Sequence, residues 1–130
     1  MKKRVEIRGS RDVLQLLKPY WKKRQEHFLV ITLDACKQVI KTHVVTIGLA
    51  NLTLTHPREV FFPAIKDNAT AIIIAHNHPS GVLTPSEADE TMTHRLKTAS
   101  EILGITILDH VIIAGHDKPE LFSFLDAGIL

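Results

Sequence analysis

Residues 70–104 read TAIIIAHNHPSGVLTPSEADETMTHRLKTASEILG. Residues 70–75 are short, apolar and rich in isoleucine, the pattern of a strand buried on both faces. Residues 76–83 interrupt it as a loop, with Pro79 and Gly81 as turn punctuation. A helix is expected next. Thr84 reads as its N-cap, Pro85 as its first residue, and Glu87 completes a capping box. Ala88, Met92, Leu96, Ala99 and Leu103 recur at helical spacing and form one apolar face. Gly104 stops the helix, and residues 105–114 (ITILDHVIIA) resume as a strand. Strand, helix and strand in succession mark an α/β chain.

The flanks fit the same class. Ser10 reads as the N-cap of a helix over 11–17, which Pro19 ends or bends. Residues 27–33 (HFLVITL) and 38–47 (QVIKTHVVTI) are strand candidates joined by the turn Asp34-Ala35-Cys36-Lys37. Residues 48–55 form a loop. His56-Pro57 opens a helix to Lys66, with Pro57 at its first position. Residues 115–119 turn, and residues 121–124 form a last short strand. The expected fold is α/β, a mixed β-sheet flanked by helices in a single domain. Residues 1–25 are a basic N-terminal helical segment packed on the domain formed by 26–130.

Composition excludes several classes. The 130 residues are 45% hydrophobic and 23% charged, an ordinary globular balance. The longest apolar run is residues 71–75, far short of the ~20 residues of a spanning helix, so no membrane role is expected. Arg8, Arg11 and Asp12 interrupt any signal-peptide core. Cys36 is the single cysteine, which excludes an internal disulfide and a cysteine-rich zinc site and points to a reducing cytoplasm. Charge is uneven. Residues 1–25 hold nine basic and two acidic residues, +7, and residues 26–130 hold seven and twelve, −5. The basic end can touch phosphates weakly and without sequence preference. The plainer reading is a solvated helix with Lys18, Lys22, Lys23 and Arg24 outward. No ladder of aromatics accompanies these charges.

The chemistry concentrates where the buried strand ends. His76 and His78, at i and i+2 in extended backbone, point the same way. Asp89 lies in the first turns of the next helix. Two imidazoles and a carboxylate make a three-ligand zinc site with a position left for water, whose pKa the metal brings to about 7. Taken singly, each residue has a plainer role. Asp89 suits a helix N-terminus, and the histidines suit a loop.

His76-Asn77-His78, seven residues, then Ser86-Glu87-Ala88-Asp89 is the His-x-His, Ser-x-x-Asp signature, and it resembles the JAMM (MPN-type) zinc metalloproteases. AHNHPSGVLTPSEAD with the downstream LDHVIIAG resembles the bacterial RadC family more closely, from about Ser10 to Gly128. Glu26, in QEHFLVITLD, matches a glutamate that the family carries at the start of an early strand. The resemblance implies a JAMM/MPN architecture of cytidine-deaminase-like layout. It implies that His76, His78 and Asp89 hold zinc. Glu26 would be the general base for a zinc-bound water and then the acid for the leaving amine. Ser86 would donate a hydrogen bond to the tetrahedral oxyanion. The reaction implied is hydrolysis of an amide in a peptide or isopeptide substrate. Glu26 has the plainer reading of a solvated strand-edge residue, and Ser86 that of a first-turn residue.

Only ten residues separate His78 from Asp89, which speaks against the substrate-gripping insertions of JAMM enzymes that cleave ubiquitin chains. The RadC family is traditionally assigned to DNA repair. Its longer members carry an N-terminal helical segment, and this chain is expected to start close to the catalytic domain without it. Two rival readings therefore stand beside the hydrolase: a DNA-repair-associated nucleic-acid-binding module, and a non-catalytic MPN-type scaffold. A homo-oligomer stays open. HExxH, a P-loop, GxGxxG and GxSxG are absent, and a zinc deaminase would need the cysteines this chain lacks. Cys36 with His43 could mimic a catalytic pair, but a small buried thiol in a hairpin is the preferred reading. Asp109 and His110 fall in a strand and face opposite ways. One of them can lie beside the site against a ligand, or both can be structural.

Overall fold

The computed structural model describes residues 4–48 and 55–130. A helix α1 (Ser10–Leu17) runs into a 3-10 turn (Lys18–Tyr20). Strands β1 (His27–Leu33) and β2 (Val39–Ile47) follow, then α2 (Pro57–Lys66), β3 (Ala71–Asn77), α3 (Glu87–Leu103), β4 (Thr106–Ala114) and β5 (Glu120–Ser123). The mixed sheet has the order β2-β1-β3-β4-β5. β3 and β4 are parallel and connected through α3, and every other pair is antiparallel. No described helix is long and apolar enough to cross a membrane.

The central strands alternate between two cores, as a period of two requires when both faces are covered. Phe28, Val30, Ile72 and Ile74 pack with Val60 and Phe61 of α2 and Met92 and Leu96 of α3. Leu29, Ile31, Ile73 and Ala75 pack on the other face with Val13 and Leu17 of α1. His76 shares the parity of Ile72 and Ile74, so its side chain enters the face that α3 covers.

β4 breaks its own alternation. Ile72 pairs with Ile107 and Ile73 with Asp109, so Leu108 is the extra residue of a bulge. Ile107 therefore packs on the α2–α3 face, while Val111 and Ile113 pack on the α1 face. The bulge turns His110 toward α3.

Several sequence expectations shift. Gly9, not Ser10, is the N-cap of α1; the Ser10 hydroxyl donates instead to Asp126 at 2.9 Å. The α3 cap is Ser86, two residues beyond Thr84, with Asp89 at N3 closing the capping box. Two cap signals overlap here, and the Ser86–Asp89 pair makes both reciprocal bonds. β3 runs two residues further than expected, because His76 and Asn77 still pair with Ile112 and Ile113. Residues 22–24 lie in irregular backbone beyond the 3-10 turn, not on a helix. Pro19 and a Trp21 indole that donates to the Gly115 carbonyl at 3.0 Å turn the chain away. Cys36 is exposed in the hairpin turn rather than buried, and His43 pairs with Asp67 at 2.6 Å, not with the thiol. Of the expected 48–55 loop, all but Gly48 and Thr55 lies outside the described residues.

Candidate metal centre

Three elements converge at the carboxyl end of β3. The strand itself supplies His76, and the chain just past its end supplies His78. The first turn of α3 supplies Asp89, and the residue before β1 supplies Glu26. One ligand atom from each of Glu26, His76, His78 and Asp89 lies within 4.8 Å of the others. His76 Nε2 stands 3.1 Å from His78 Nε2 and 3.3 Å from Asp89 Oδ1. His78 Nε2 is 3.2 Å from Asp89 Oδ2, and Glu26 Oε1 is 3.7 Å from His76 Nε2. The cleft above them is about 410 Å³ and is lined by Glu26, His78, Val82, Ser86 and Asp89 among others.

Local sequence explains each placement. The capping box that starts α3 brings the Asp89 backbone N–H to the Ser86 hydroxyl at 3.0 Å and the Ser86 N–H to Asp89 Oδ2 at 2.8 Å. The carboxylate is thereby held at the helix start, facing the histidines. Glu26 arrives by sheet register, because Phe28 pairs with His76 across the antiparallel β1–β3 ladder. Asn77 secures that approach. It is fully buried, accepts the His27 N–H at 2.6 Å, and donates to the carbonyls of Lys23 and Gln25 at 3.3 and 3.2 Å. The sequence reading passed over Asn77. That reading places it in the loop, and only the extension of β3 to residue 77 buries this polar side chain, which must then find partners.

The electrostatics suit a cation. Burial pushes the Glu26 carboxyl up to about 7; His78 pulls it down and Asp89 pushes it further up. Burial also opposes the charge of Asp89, but its contacts with His76 and His78 outweigh it and hold the carboxyl below its ordinary range. Burial lowers His76, with Asp89 opposing. For His78 the order reverses: burial lowers it, yet Asp89 and the Val82 carbonyl together raise it.

Both histidines also spend Nδ1 on an outer partner. His78 Nδ1 meets the Val82 carbonyl at 2.8 Å, and His76 Nδ1 meets His110 Nε2 at 3.0 Å. Their Nε2 atoms are left to converge, as metal-binding imidazoles require. The donor set therefore fits a metal ion. Among the described residues it is the single group of three or more such donors. A larger hollow of about 600 Å³ between β2 and α2 contains the His43–Asp67 pair and no comparable convergence. Of the sequence candidates, Glu26, His76, His78 and Asp89 come together. Ser86 caps the helix at the cleft wall and is itself exposed. Of the Asp109–His110 pair, His110 lies against His76, and Asp109 bonds Ser123 and the Leu125 N–H.

The comparisons agree with this layout. The RadC-like JAB domain matches residues 7–129. A UPF0758 protein of Pelodictyon phaeoclathratiforme is 44% identical over 126 residues, covering 96% of this chain and 55% of the relative. One from Methanospirillum hungatei is 51% identical over 108 residues, 83% of this chain and 47% of the relative. One from Aquifex aeolicus is 38% identical over 129 residues, 99% of this chain and 54% of the relative. The chain thus spans about half the length of these relatives. With the fold, the signature and nearly the whole sequence in agreement, the chain belongs to the RadC-like JAB domain family.

Proposed function

We propose that this domain is a zinc-dependent amide hydrolase acting on a peptide or isopeptide bond. His76, His78 and Asp89 are the metal ligands and Glu26 is the general base. The observation that carries the reading is the convergence of these four side chains within 4.8 Å beside an open cleft. A zinc ion held there supplies a Lewis acid that polarises a carbonyl and makes water acidic near neutral pH. Glu26, half-buried at the cleft, takes the proton of the attacking water and returns it to the leaving nitrogen. The Ser86 oxygen accepts the Asp89 N–H, which orients the hydroxyl, and its own proton serves the oxygen of the tetrahedral intermediate. Family membership supports the same assignment.

The test is elemental analysis of protein purified without chelator, together with peptide and isopeptide hydrolysis. One zinc per chain is expected. Activity should vanish on chelation and return with zinc. Protein that folds but takes up no metal would leave the scaffold reading in its place.

One observation favours a secondary contact with nucleic acid. Trp21, Lys22, Lys23 and Arg24 line a groove of about 360 Å³ that reaches His78 and Pro79. Arg4 is partly engaged by Asp34 at 3.4 Å, and Lys2 and Lys3 lie outside the described residues. Binding through these charges is weak and non-specific, so its affinity should fall steeply as salt rises. Tight, sequence-preferring binding that survives moderate salt would count against it and favour the repair-module reading.

A further inference from the structure

Behind His76 runs a buried polar chain that the ligand assignment does not use. His76 Nδ1 lies 3.0 Å from His110 Nε2. His110 Nδ1 meets the Thr93 hydroxyl, which is also 2.7 Å from the Asp89 backbone carbonyl, one helical turn back. His76 and His110 are 0% exposed and Thr93 4%. The His110 ring stacks on Phe124 with centroids 4.2 Å apart and meets no carboxylate among the described residues.

Hydrogen-bond chemistry gives this chain a single direction. A carbonyl oxygen only accepts. The proton between the two oxygens 2.7 Å apart is therefore the Thr93 hydroxyl's. The hydroxyl oxygen is then an acceptor, and His110 Nδ1 carries the proton it receives. An imidazole sealed in an apolar setting with no anionic partner is neutral, so its other nitrogen is bare. His110 Nε2 accepts, and His76 Nδ1 donates to it. A neutral His76, with its one ring proton on Nδ1, is left with a bare Nε2, the atom that faces His78 and Asp89. The opposite direction would turn the Thr93 proton toward His110 and leave its oxygen against the carbonyl with no hydrogen between them.

We propose that Thr93 and His110 are positioning residues, which hold His76 in the tautomer whose Nε2 lone pair points into the ligand cluster. The purpose of this arrangement rests on the metal-site reading above, while its geometry does not. It also explains why a threonine sits at a buried position of α3 between Met92 and Leu96. The hydroxyl is the element that tells His110, and through it His76, which nitrogen carries the proton.

Thr93→Val tests this, because valine keeps the shape and removes the hydroxyl. His110 Nδ1–H then has no acceptor. The ring regains a partner by moving its proton to Nε2 and donating to His76, which drives the His76 proton onto Nε2. Nitrogen-15 NMR of the metal-free protein should show His76 protonated at Nδ1 in the wild type and shifted toward Nε2 in Thr93→Val. Zinc affinity should fall about 10–100-fold, the usual cost of losing an outer partner of a ligand. Thr93→Ser restores the hydroxyl and should recover both the tautomer and the affinity. A wild type protonated at Nε2, or a Thr93→Val protein with unchanged tautomer and affinity, would overturn the proposal. So would equal losses in the valine and serine variants, which would trace the effect to helix packing. If the wild type itself takes up no zinc, the metal-site reading fails, and the tautomer measurement still decides the chain.

Discussion

Glu26→Gln is expected to yield a folded, metal-loaded protein whose amide hydrolysis is about 10²–10⁴-fold slower, the typical cost of a lost general base. Three features support the separation of fold, metal and rate. The Glu26 backbone carbonyl accepts the Gly48 N–H at 2.8 Å, and the substitution leaves that bond intact. Its carboxylate stands 3.7 Å from His76 Nε2, the longest of the contacts that join the cluster, and its side chain is 21% exposed. Burial has already brought its pKa to about 7, where a carboxylate both accepts and releases a proton readily near neutrality. Glutamine preserves the volume and cannot hold the proton. Metal content and hydrolysis of a peptide substrate, measured on the same preparation, check the expectation. Loss of metal would make Glu26 a ligand. Full activity would remove the glutamate from the chemistry, and the hydrolase assignment with it.

Asp89→Ala should abolish stoichiometric metal binding and also lower the stability of the metal-free protein. Both effects come from one carboxylate. Its Oδ1 faces His76, and its Oδ2 faces His78 while accepting the Ser86 N–H. Alanine takes a donor oxygen from the cluster and leaves the reciprocal half of the capping box open, a change of about 1 kcal/mol by analogy with other caps. The pH dependence has a definite sign. The folded state holds this carboxyl below its ordinary value, so its contribution is present above the unfolded pKa of about 4 and is lost as pH falls through the folded value. The stability difference between wild type and variant should therefore shrink in acid. Asp89→Asn retains an acceptor for the Ser86 N–H. It should lose metal while keeping more of the helix stability, which separates the two roles. Equal metal in wild type and Asp89→Ala would take Asp89 out of the centre.

The legible part of this protein was local. His76 and His78 share a face because extended backbone alternates, and two residues suffice to show it. Asp89 could be placed because helix starts are written in caps and first-turn carboxylates. Even here the start was read two residues early, since Thr84-Pro85-Ser86-Glu87 offers two overlapping caps and it is the Ser86–Asp89 pair that makes both reciprocal bonds. The strands of the two cores were legible from their apolar runs, and β1 was found at its observed bounds.

Residues 70–104 thus determined, by themselves, the strand–loop–helix unit, the order of its polar side chains and the shared direction of the two histidines. Family resemblance marked Glu26, but nothing within reach of its neighbours could bring it across fifty residues. Antiparallel pairing of Phe28 with His76 does that, and Asn77 clamps the approach. Thr93, and the choice between Asp109 and His110 as the residue beside the site, were beyond the sequence for a related reason. A strand read by alternation places Ile107 and Val111 on one face, yet the Leu108 bulge separates them and aims His110 at α3. A bulge leaves little mark on composition. It is selected by the fit of a whole sheet between two helical layers, so that which of Asp109 and His110 stands behind His76 was settled by packing.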